Sequence, residues 1–135
     1  MDNTSIYLSG YGIRPSVQRI AIMRYLRKHR THPTADEVYE ALKTQIPTLS
    51  KTTVYNTLKL LVESGAALYV GIDEKNARFD GFVEPHAHFR CKKCGCIIDL
   101  PMNVDSFLPK DFNGDIEESY FYIKGICEGC KNKSN

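Results

Sequence analysis

Two pairs of cysteines stand out among the residues whose types and spacing suit them to chemistry. They occupy residues 91–94 (CKKC) and 127–130 (CEGC). Four paired thiolates can close a tetrahedron around one zinc ion, and residues 95–126 separate the pairs by more chain than a short zinc ribbon uses. A folded domain must therefore bring the pairs together. The spacing predicts a structural Zn²⁺ site with four ligands, Cys91, Cys94, Cys127 and Cys130.

Paired cysteines also serve two other chemistries. A redox dithiol would be expected at a strand-to-helix junction, and neither pair is predicted to lie at one. A disulfide framework needs an oxidising compartment. The polar start of the chain has no apolar signal stretch, so we expect a cytoplasmic protein with reduced thiols. No apolar run approaches membrane-spanning length, so we expect no membrane partner.

A second group of metal-ligating residues precedes the first cysteine pair. Because side chains alternate along an extended segment, His86 and His88 should point to the same side. The other candidate ligands are His32, Asp80 and Asp99. Such a nitrogen and oxygen set suits Fe²⁺ or Mn²⁺ and, less selectively, Zn²⁺. The alternative is a loop histidine with ordinary hydrogen bonds and two strand-end carboxylates without a metal.

The N-terminal half carries the signals of a DNA-binding fold. Apolar spacing and capping residues predict helices over residues 16–28, from Thr34 until Pro47, and from Ser50 to Gly65. Residues 66–80 then alternate around a polar turn, which predicts a β-hairpin. Three helices followed by a hairpin indicate a winged helix, in which the third helix enters the major groove. Its first helix has Val17 on the predicted apolar face.

Charge and side-chain chemistry point to the same partner. The net charge is only +2, but Asp2 is the one carboxylate among residues 1–30, which contain several Lys and Arg. The exposed face of the third predicted helix combines cations, hydroxyls, a phenol and an amide, which can contact phosphates and bases. A merely solvated helix face is the alternative. The predicted contacts to double-stranded DNA are Arg14, Arg19, Lys51, Thr52, Thr53, Tyr55 and Asn56.

The C-terminal part is predicted to be a small α/β unit. Strands are expected at residues 88–90, 96–100 and 119–126, with a short helix or loop over 101–118 and a hinge at Glu84-Pro85. These apolar strands have little to cover them, which favours burial against a second copy and hence a homodimer on a two-fold-symmetric operator. We predict an α+β fold with a DNA-binding domain, residues 1–82, and a zinc-containing dimerisation domain, residues 83–135.

Several sequence strings identify a resemblance to a known family. They are residues 12–19 (GIRPSVQR), 32–39 (HPTADEVY), 53–58 (TVYNTL), 63–65 (ESG) and 78–80 (RFD), together with both cysteine pairs. With these strings the chain resembles the ferric uptake regulator family, most closely its peroxide-stress repressor branch. The resemblance implies a dimeric, metal-dependent transcriptional repressor that is not an enzyme. Its structural zinc ligands match Cys91, Cys94, Cys127 and Cys130, and its regulatory Fe²⁺ or Mn²⁺ ligands match His32, Asp80, His86, His88 and Asp99.

The resemblance also implies a signal. Iron-sensing members of the family usually have Glu at the positions of Asp80 and Asp99, whereas peroxide sensors have Asp at both. This chain resembles the second group in having Asp twice. Similarity to the second group implies that Fe²⁺-dependent reaction with hydrogen peroxide oxidises His32 or His86 and ends repression, with peroxide acting as the signal and not as a substrate. A repressor that responds only to iron or manganese is the alternative. A non-haem iron enzyme is a remote one, because five ligands leave little open coordination.

Three departures from the family pattern concern possible ligands. Cys96 is an additional cysteine, which is either a competing ligand or reactive thiol, or a small buried strand residue. The segment 85–88 (PHAH) lacks the first His and the Asp of the His-rich stretch in iron-sensing relatives, which argues against a third metal site. The tail, residues 131–135, adds no His or Cys.

Overall fold

The computed structural model describes residues 2–133 and divides into two compact units, Met1–Val83 and Glu84–Asn135. The predicted assignment of DNA binding and dimerisation to residues 1–82 and 83–135 remains a prediction. The end of the tail, residues 134 and 135, lies outside the described residues. None of the helices within 2–133 has the length and apolar character needed to cross a bilayer.

The N-terminal unit consists of four helices and a hairpin. Its elements are α1 (Thr4–Gly10), α2 (Val17–Lys28), α3 (Ala35–Leu42), α4 (Lys51–Glu63), β1 (Leu68–Val70) and β2 (Arg78–Asp80). The three predicted helices correspond to α2, α3 and α4. The prediction that the helix after residue 16 is the first was wrong, because α1 precedes it and buries Leu8 in the core.

The predicted helix starts are confirmed by their caps. The Ser16 hydroxyl accepts a hydrogen bond from the Arg19 amide at 3.2 Å, and the Ser50 hydroxyl accepts one from the Thr53 amide at 3.0 Å. Thr34 and Glu37 form a reciprocal capping box. The prediction that the second helix continues to Pro47 was wrong. It ends at Leu42, and the following residues form a turn.

The core of this unit includes buried side chains of both α2 and α4. Ile22 and Leu26 of α2 pack with Leu58 and Leu61 of α4, all fully buried. Val17 was predicted on the apolar face of α2 but is 75% exposed, because it begins the helix and lies ahead of the buried stripe. Because α4 packs into the core through its apolar residues, its polar face is exposed to solvent, as the sequence predicts.

The predicted hairpin is present and ties into the helical part. Its strands are antiparallel, with Leu68 opposite Asp80 and Val70 opposite Arg78. The amide of Phe79 donates to the carbonyl of Pro33 at 3.0 Å, and Thr34 forms a bridge with Arg78. The loop before α3 is thereby attached to β2.

The C-terminal unit is a three-stranded sheet with two short helices. Its elements are β3 (Ala87–Cys91), β4 (Ile97–Leu100), the 3₁₀ helix η1 (Val104–Phe107), β5 (Tyr122–Gly125) and α5 (Glu128–Lys133). The strand order is β4-β3-β5, antiparallel between β3 and β4 and parallel between β3 and β5. The strand predicted over residues 119–126 is shorter in the structure, where β5 spans only Tyr122–Gly125. Helix α5 was not predicted. Several large apolar side chains of this unit are exposed, among them Phe107, Tyr120 and Ile123.

Candidate metal centres and DNA-contacting face

The four predicted zinc ligands converge in the C-terminal unit. The sulfur atoms of Cys91, Cys94, Cys127 and Cys130 all lie within 4.8 Å of one another, and those of Cys94 and Cys127 are 3.8 Å apart. Zinc to sulfur bonds of about 2.3 Å in a tetrahedron give sulfur to sulfur distances of about 3.8 Å. The donor set and its spacing therefore fit a zinc ion.

Backbone amides prepare this site for thiolates. The Sγ atom of Cys91 accepts hydrogen bonds from the amides of Lys93, Cys94 and Cys127, each at 3.4 Å. Amide donors favour a negative sulfur, so the pKa of Cys91 falls to about 5, with the Cys94 amide as its largest cause. The amide of Cys130 donates in the same way to the Cys127 sulfur at 3.4 Å.

The location of the second cysteine pair differs from the one predicted from the sequence. Cys127 and Cys130 do lie at a strand-to-helix junction, between β5 and α5. Position along the fold therefore does not separate a redox dithiol from a metal site, whereas the convergence of four sulfurs in one cluster favours the metal site.

Cys96 lies beside this cluster but is not one of its four sulfurs. It is partly buried. A hydrogen bond with Cys94 and desolvation raise the pKa of the Cys96 thiol to about 12, and the amide of Cys96 is the largest cause of a lowered pKa at Cys94. The raised pKa of the thiol disfavours Cys96 as a reactive thiolate.

A second set of ligand atoms converges at the start of β3. The rings of His86 and His88 have centroids 4.4 Å apart, and their Nε2 atoms are 3.1 Å apart. The Oδ1 atom of Asp99 lies 3.3 Å from the first of these nitrogens and 3.4 Å from the second. The predicted location of both imidazoles on one side of the segment is confirmed, whereas their role as ligands remains a prediction.

The orientation of His86 is set by a backbone contact. Its Nδ1 atom lies 2.6 Å from the carbonyl oxygen of Glu84, which can accept only from a protonated nitrogen. That contact places a proton on Nδ1, and the Nε2 atom faces His88 and Asp99. A carbonyl that fixes the tautomer of a ligating imidazole is a common feature of metal sites.

His32 and Asp80 form a pair within the N-terminal unit. The Nε2 atom of His32 is 3.5 Å from Oδ2 of Asp80, and each residue is only 2% exposed. The other carboxylate oxygen of Asp80 accepts from the amide of Phe82 at 2.9 Å. His32 also has a left-handed backbone, with φ of 58°. A buried imidazole and carboxylate in this arrangement provide one nitrogen and one oxygen donor for a cation.

The predicted DNA contacts lie on the outer surface of the N-terminal unit. A groove of about 450 Å³ separates the start of α2 from α4 and is lined by four of them, Arg14, Arg19, Thr53 and Asn56. Tyr55 is 57% exposed and lines a separate apolar groove beside Tyr69 and Phe79. Lys51 and Thr52 are exposed at the start of α4. Gln18, near the start of α2, also lines the larger groove and was not among the predicted contacts.

Comparison with known proteins connects these features to a family. The sequence profile of the ferric uptake regulator family matches residues 10–106. The chain is 35% identical over 128 residues to the peroxide-responsive repressor PerR of Staphylococcus epidermidis, covering 92% of this chain and 85% of that protein.

Two solved structures share the fold over nearly the whole chain. The ferric uptake regulator Fur of Helicobacter pylori has a TM-score of 0.74 at 19% identity, covering 96% of this chain and 90% of that one. PerR of Streptococcus pyogenes has a TM-score of 0.54 at 30% identity, covering 95% of this chain and 90% of that one.

A winged-helix unit followed by a unit with a four-cysteine cluster is the architecture of a metal-responsive repressor. This chain belongs to the ferric uptake regulator family. Both the predicted fold class and the predicted family are thereby confirmed. Regulators of this family bind DNA and form dimers.

Proposed function

We propose that this protein is a homodimeric, cytoplasmic repressor that releases its operator when hydrogen peroxide reacts at a regulatory Fe²⁺ site. The observation that carries the proposal is the convergence of His86, His88 and Asp99, whose ligand atoms lie within 3.4 Å of one another. Relatives named as peroxide-responsive repressors support the choice of signal.

Two kinds of ion serve different purposes in this proposal. The four cysteines hold a structural Zn²⁺, since thiolates select such an ion. The regulatory site takes Fe²⁺ or Mn²⁺, which suit imidazole and carboxylate donors. Its ligands are His32, Asp80, His86, His88 and Asp99. Occupation of this site by its ion favours the DNA-binding form of the protein.

The response to peroxide is a loss of ligation. Fe²⁺ held in such a site would activate hydrogen peroxide, while the two electrons that reduce the peroxide come from the imidazole ring that is oxidised. His32 or His86 takes up one oxygen atom of the peroxide on its ring, and the other oxygen atom leaves as water. The modified ring is a poorer ligand, so the ion is lost and operator binding ends. Mn²⁺ with the same ligands supports DNA binding without this reaction.

DNA recognition follows from α4 and the groove beside it. Tyr55 and Asn56 are exposed where a recognition helix meets base edges, and Arg14 and Arg19 face the sugar-phosphate backbone. A symmetric dimer presents two such helices to a two-fold-symmetric operator. Metal and operator are then linked ligands, with a coupling of about 1–3 kcal/mol, or roughly 5–150-fold in affinity.

One experiment separates this proposal from a repressor that senses iron or manganese alone. A duplex selected by the protein from random sequences serves as the operator. Its affinity is measured for the Fe²⁺ and Mn²⁺ forms, each before and after brief exposure to peroxide. We expect both forms to bind at first and only the Fe²⁺ form to release DNA afterwards. Retention by both forms would favour the simple metal-responsive repressor.

A further inference from the structure

Arg78 joins three parts of the N-terminal unit around His32. Its guanidinium donates to the carbonyl oxygen of His32 at 3.1 Å and to the carboxylate of Asp73 at 2.9 Å, and it lies 3.6 Å from a carboxylate oxygen of Glu37. We propose that Arg78 is a positioning residue for the regulatory metal site, where it holds His32 in the conformation that presents the imidazole beside Asp80. The inference rests on the proposed function, in which both residues are ligands.

The backbone of His32 needs such support. A φ of 58° is uncommon for a residue with a side chain and is retained only where the surroundings impose it. The carbonyl of His32 points at the guanidinium, and the next carbonyl, that of Pro33, accepts from the Phe79 amide at 3.0 Å. Two successive carbonyls of the loop are thus anchored to β2, one by a side chain and one by the backbone.

The guanidinium is itself held in place by acidic partners. Asp73 is 6% exposed, lies in the hairpin turn, and also accepts from the amide of Lys75 at 3.0 Å. Glu37 closes the capping box of α3 with Thr34. Arg78 therefore has fixed contacts to the hairpin turn and near the start of α3, and its donor to His32 has little freedom to move.

The position of Arg78 in β2 explains how this one strand affects both proposed ligands, His32 and Asp80. Residues two apart in a strand point to the same face, so Arg78 and Asp80 lie on one side of β2. The strand thereby supplies one ligand and fixes the loop that carries the other. A planar fork is required, because a lysine ammonium cannot hold the Asp73 carboxylate and the His32 carbonyl in the same fixed geometry.

The test uses the full-length, zinc-loaded protein and Mn²⁺ binding measured by calorimetry. Arg78→Lys keeps a cation beside Asp73 but loses the fork. We expect it to raise the Kd for Mn²⁺ by about 10–100-fold, the range typical for residues that orient metal ligands. Zinc content should stay at the wild-type level. The NMR resonances of the His32 ring, recorded without Mn²⁺, should shift.

A second variant covers the possibility that the first fails to fold. Asp73→Asn with Arg78→Gln removes both charges together, so no buried carboxylate is left without its cation, and it should weaken Mn²⁺ binding in the same way. Val38→Ala is the matched control, because it loosens the buried face of α3 without touching Arg78. It should lower the unfolding midpoint while leaving the Kd for Mn²⁺ within about twofold, well below the change expected for a lost orienting contact.

The variant His32→Ala distinguishes a failure of the proposed function from a failure of the positioning role of Arg78. If it binds Mn²⁺ as tightly as the wild type, His32 is not a ligand and the proposed function itself fails. If it loses Mn²⁺ while both Arg78 variants bind normally with unshifted His32 resonances, only the positioning role is overturned. The positioning role would also be overturned if Val38→Ala, with a similarly lowered unfolding midpoint, lost as much Mn²⁺ affinity as the Arg78 variants.

Discussion

His88 lies directly opposite Asp99 in the antiparallel β3–β4 pair, and its Nε2 atom is 3.4 Å from the Asp99 carboxylate. His86 reaches the same oxygen from two residues earlier, at 3.3 Å. Strand pairing fixes which side chains face one another. Part of the proposed regulatory site is therefore supported by paired backbone, and a change at Asp99 should alter its chemistry without disturbing the fold.

The zinc assignment predicts different outcomes for neighbouring cysteines. Cys94→Ser or Cys130→Ser should lose zinc and unfold the C-terminal unit, because zinc binding contributes about 10–16 kcal/mol to small metal-dependent folds. The dimer should be lost with it. Native mass spectrometry gives both zinc content and oligomeric state. Cys96→Ser is the control and should lose neither; a zinc-loaded dimer of Cys130→Ser would refute the four-cysteine site.

The exposed face of α4 predicts two kinds of DNA defect. Tyr55→Ala should cost roughly 1–3 kcal/mol of discrimination between operator and random DNA, since it removes a base contact. Lys51→Ala should weaken both equally and reduce the salt slope by about 1, because one phosphate contact is lost. Fluorescence anisotropy at several salt concentrations measures these effects. Lys110→Ala, at an exposed position of the other unit, is the control. Undiminished operator preference in Tyr55→Ala would exclude α4 as the reading helix.

Gly81 follows Asp80 and predicts a steric defect. A Cβ atom there would lie 2.8 Å from the carbonyl carbon and oxygen of Leu26, which belong to a helix backbone and cannot move aside. Gly81→Ala should destabilise the protein by about 1–3 kcal/mol or more in urea unfolding. Gly10→Ala is the matched control, because its Cβ would meet nothing within 4 Å, and it should be neutral or gain about 0.5–1 kcal/mol. Equal stability of both variants would contradict the packing at Leu26.

Local signals account for the parts of the fold that the sequence predicts well. Ser16, Thr34 and Ser50 each cap a helix as expected, because a side-chain oxygen at this position satisfies a free amide. Two elements were missed for a physical reason. The helices α1 and α5 have seven and six residues, so neither is long enough to establish an apolar periodicity.

The candidate sites show the same limit. Cysteine spacing identifies four sulfurs that the fold does bring together, and residue chemistry identifies His86, His88 and Asp99. The role proposed for Arg78 could not be predicted, because its contacts to His32 and Asp73 depend on how the hairpin packs against the loop before α3. Such contacts leave no pattern in the order of residues.

A longer carboxylate at position 99 should separate metal binding from peroxide sensing. Asp99→Glu keeps the charge and should retain Mn²⁺-dependent operator binding. Its longer side chain changes how the ion is held beside His86 and His88, so release by peroxide should be slower than in the wild type. Anisotropy of the Fe²⁺ form after peroxide addition follows the rate. Asp105→Glu, an exposed carboxylate, is the control. If Asp99→Glu released the operator as fast as the wild type, the length of the carboxylate at position 99 would play no part in peroxide sensing.

In the proposed function, a ligand histidine is the target of peroxide. Peptide mass spectrometry of the Fe²⁺-loaded protein after brief exposure should show one added oxygen on His32 or His86, in step with loss of operator binding. The Mn²⁺-loaded protein should show neither change. Oxygen found only on cysteines, or DNA release with both histidines unmodified, would contradict the account.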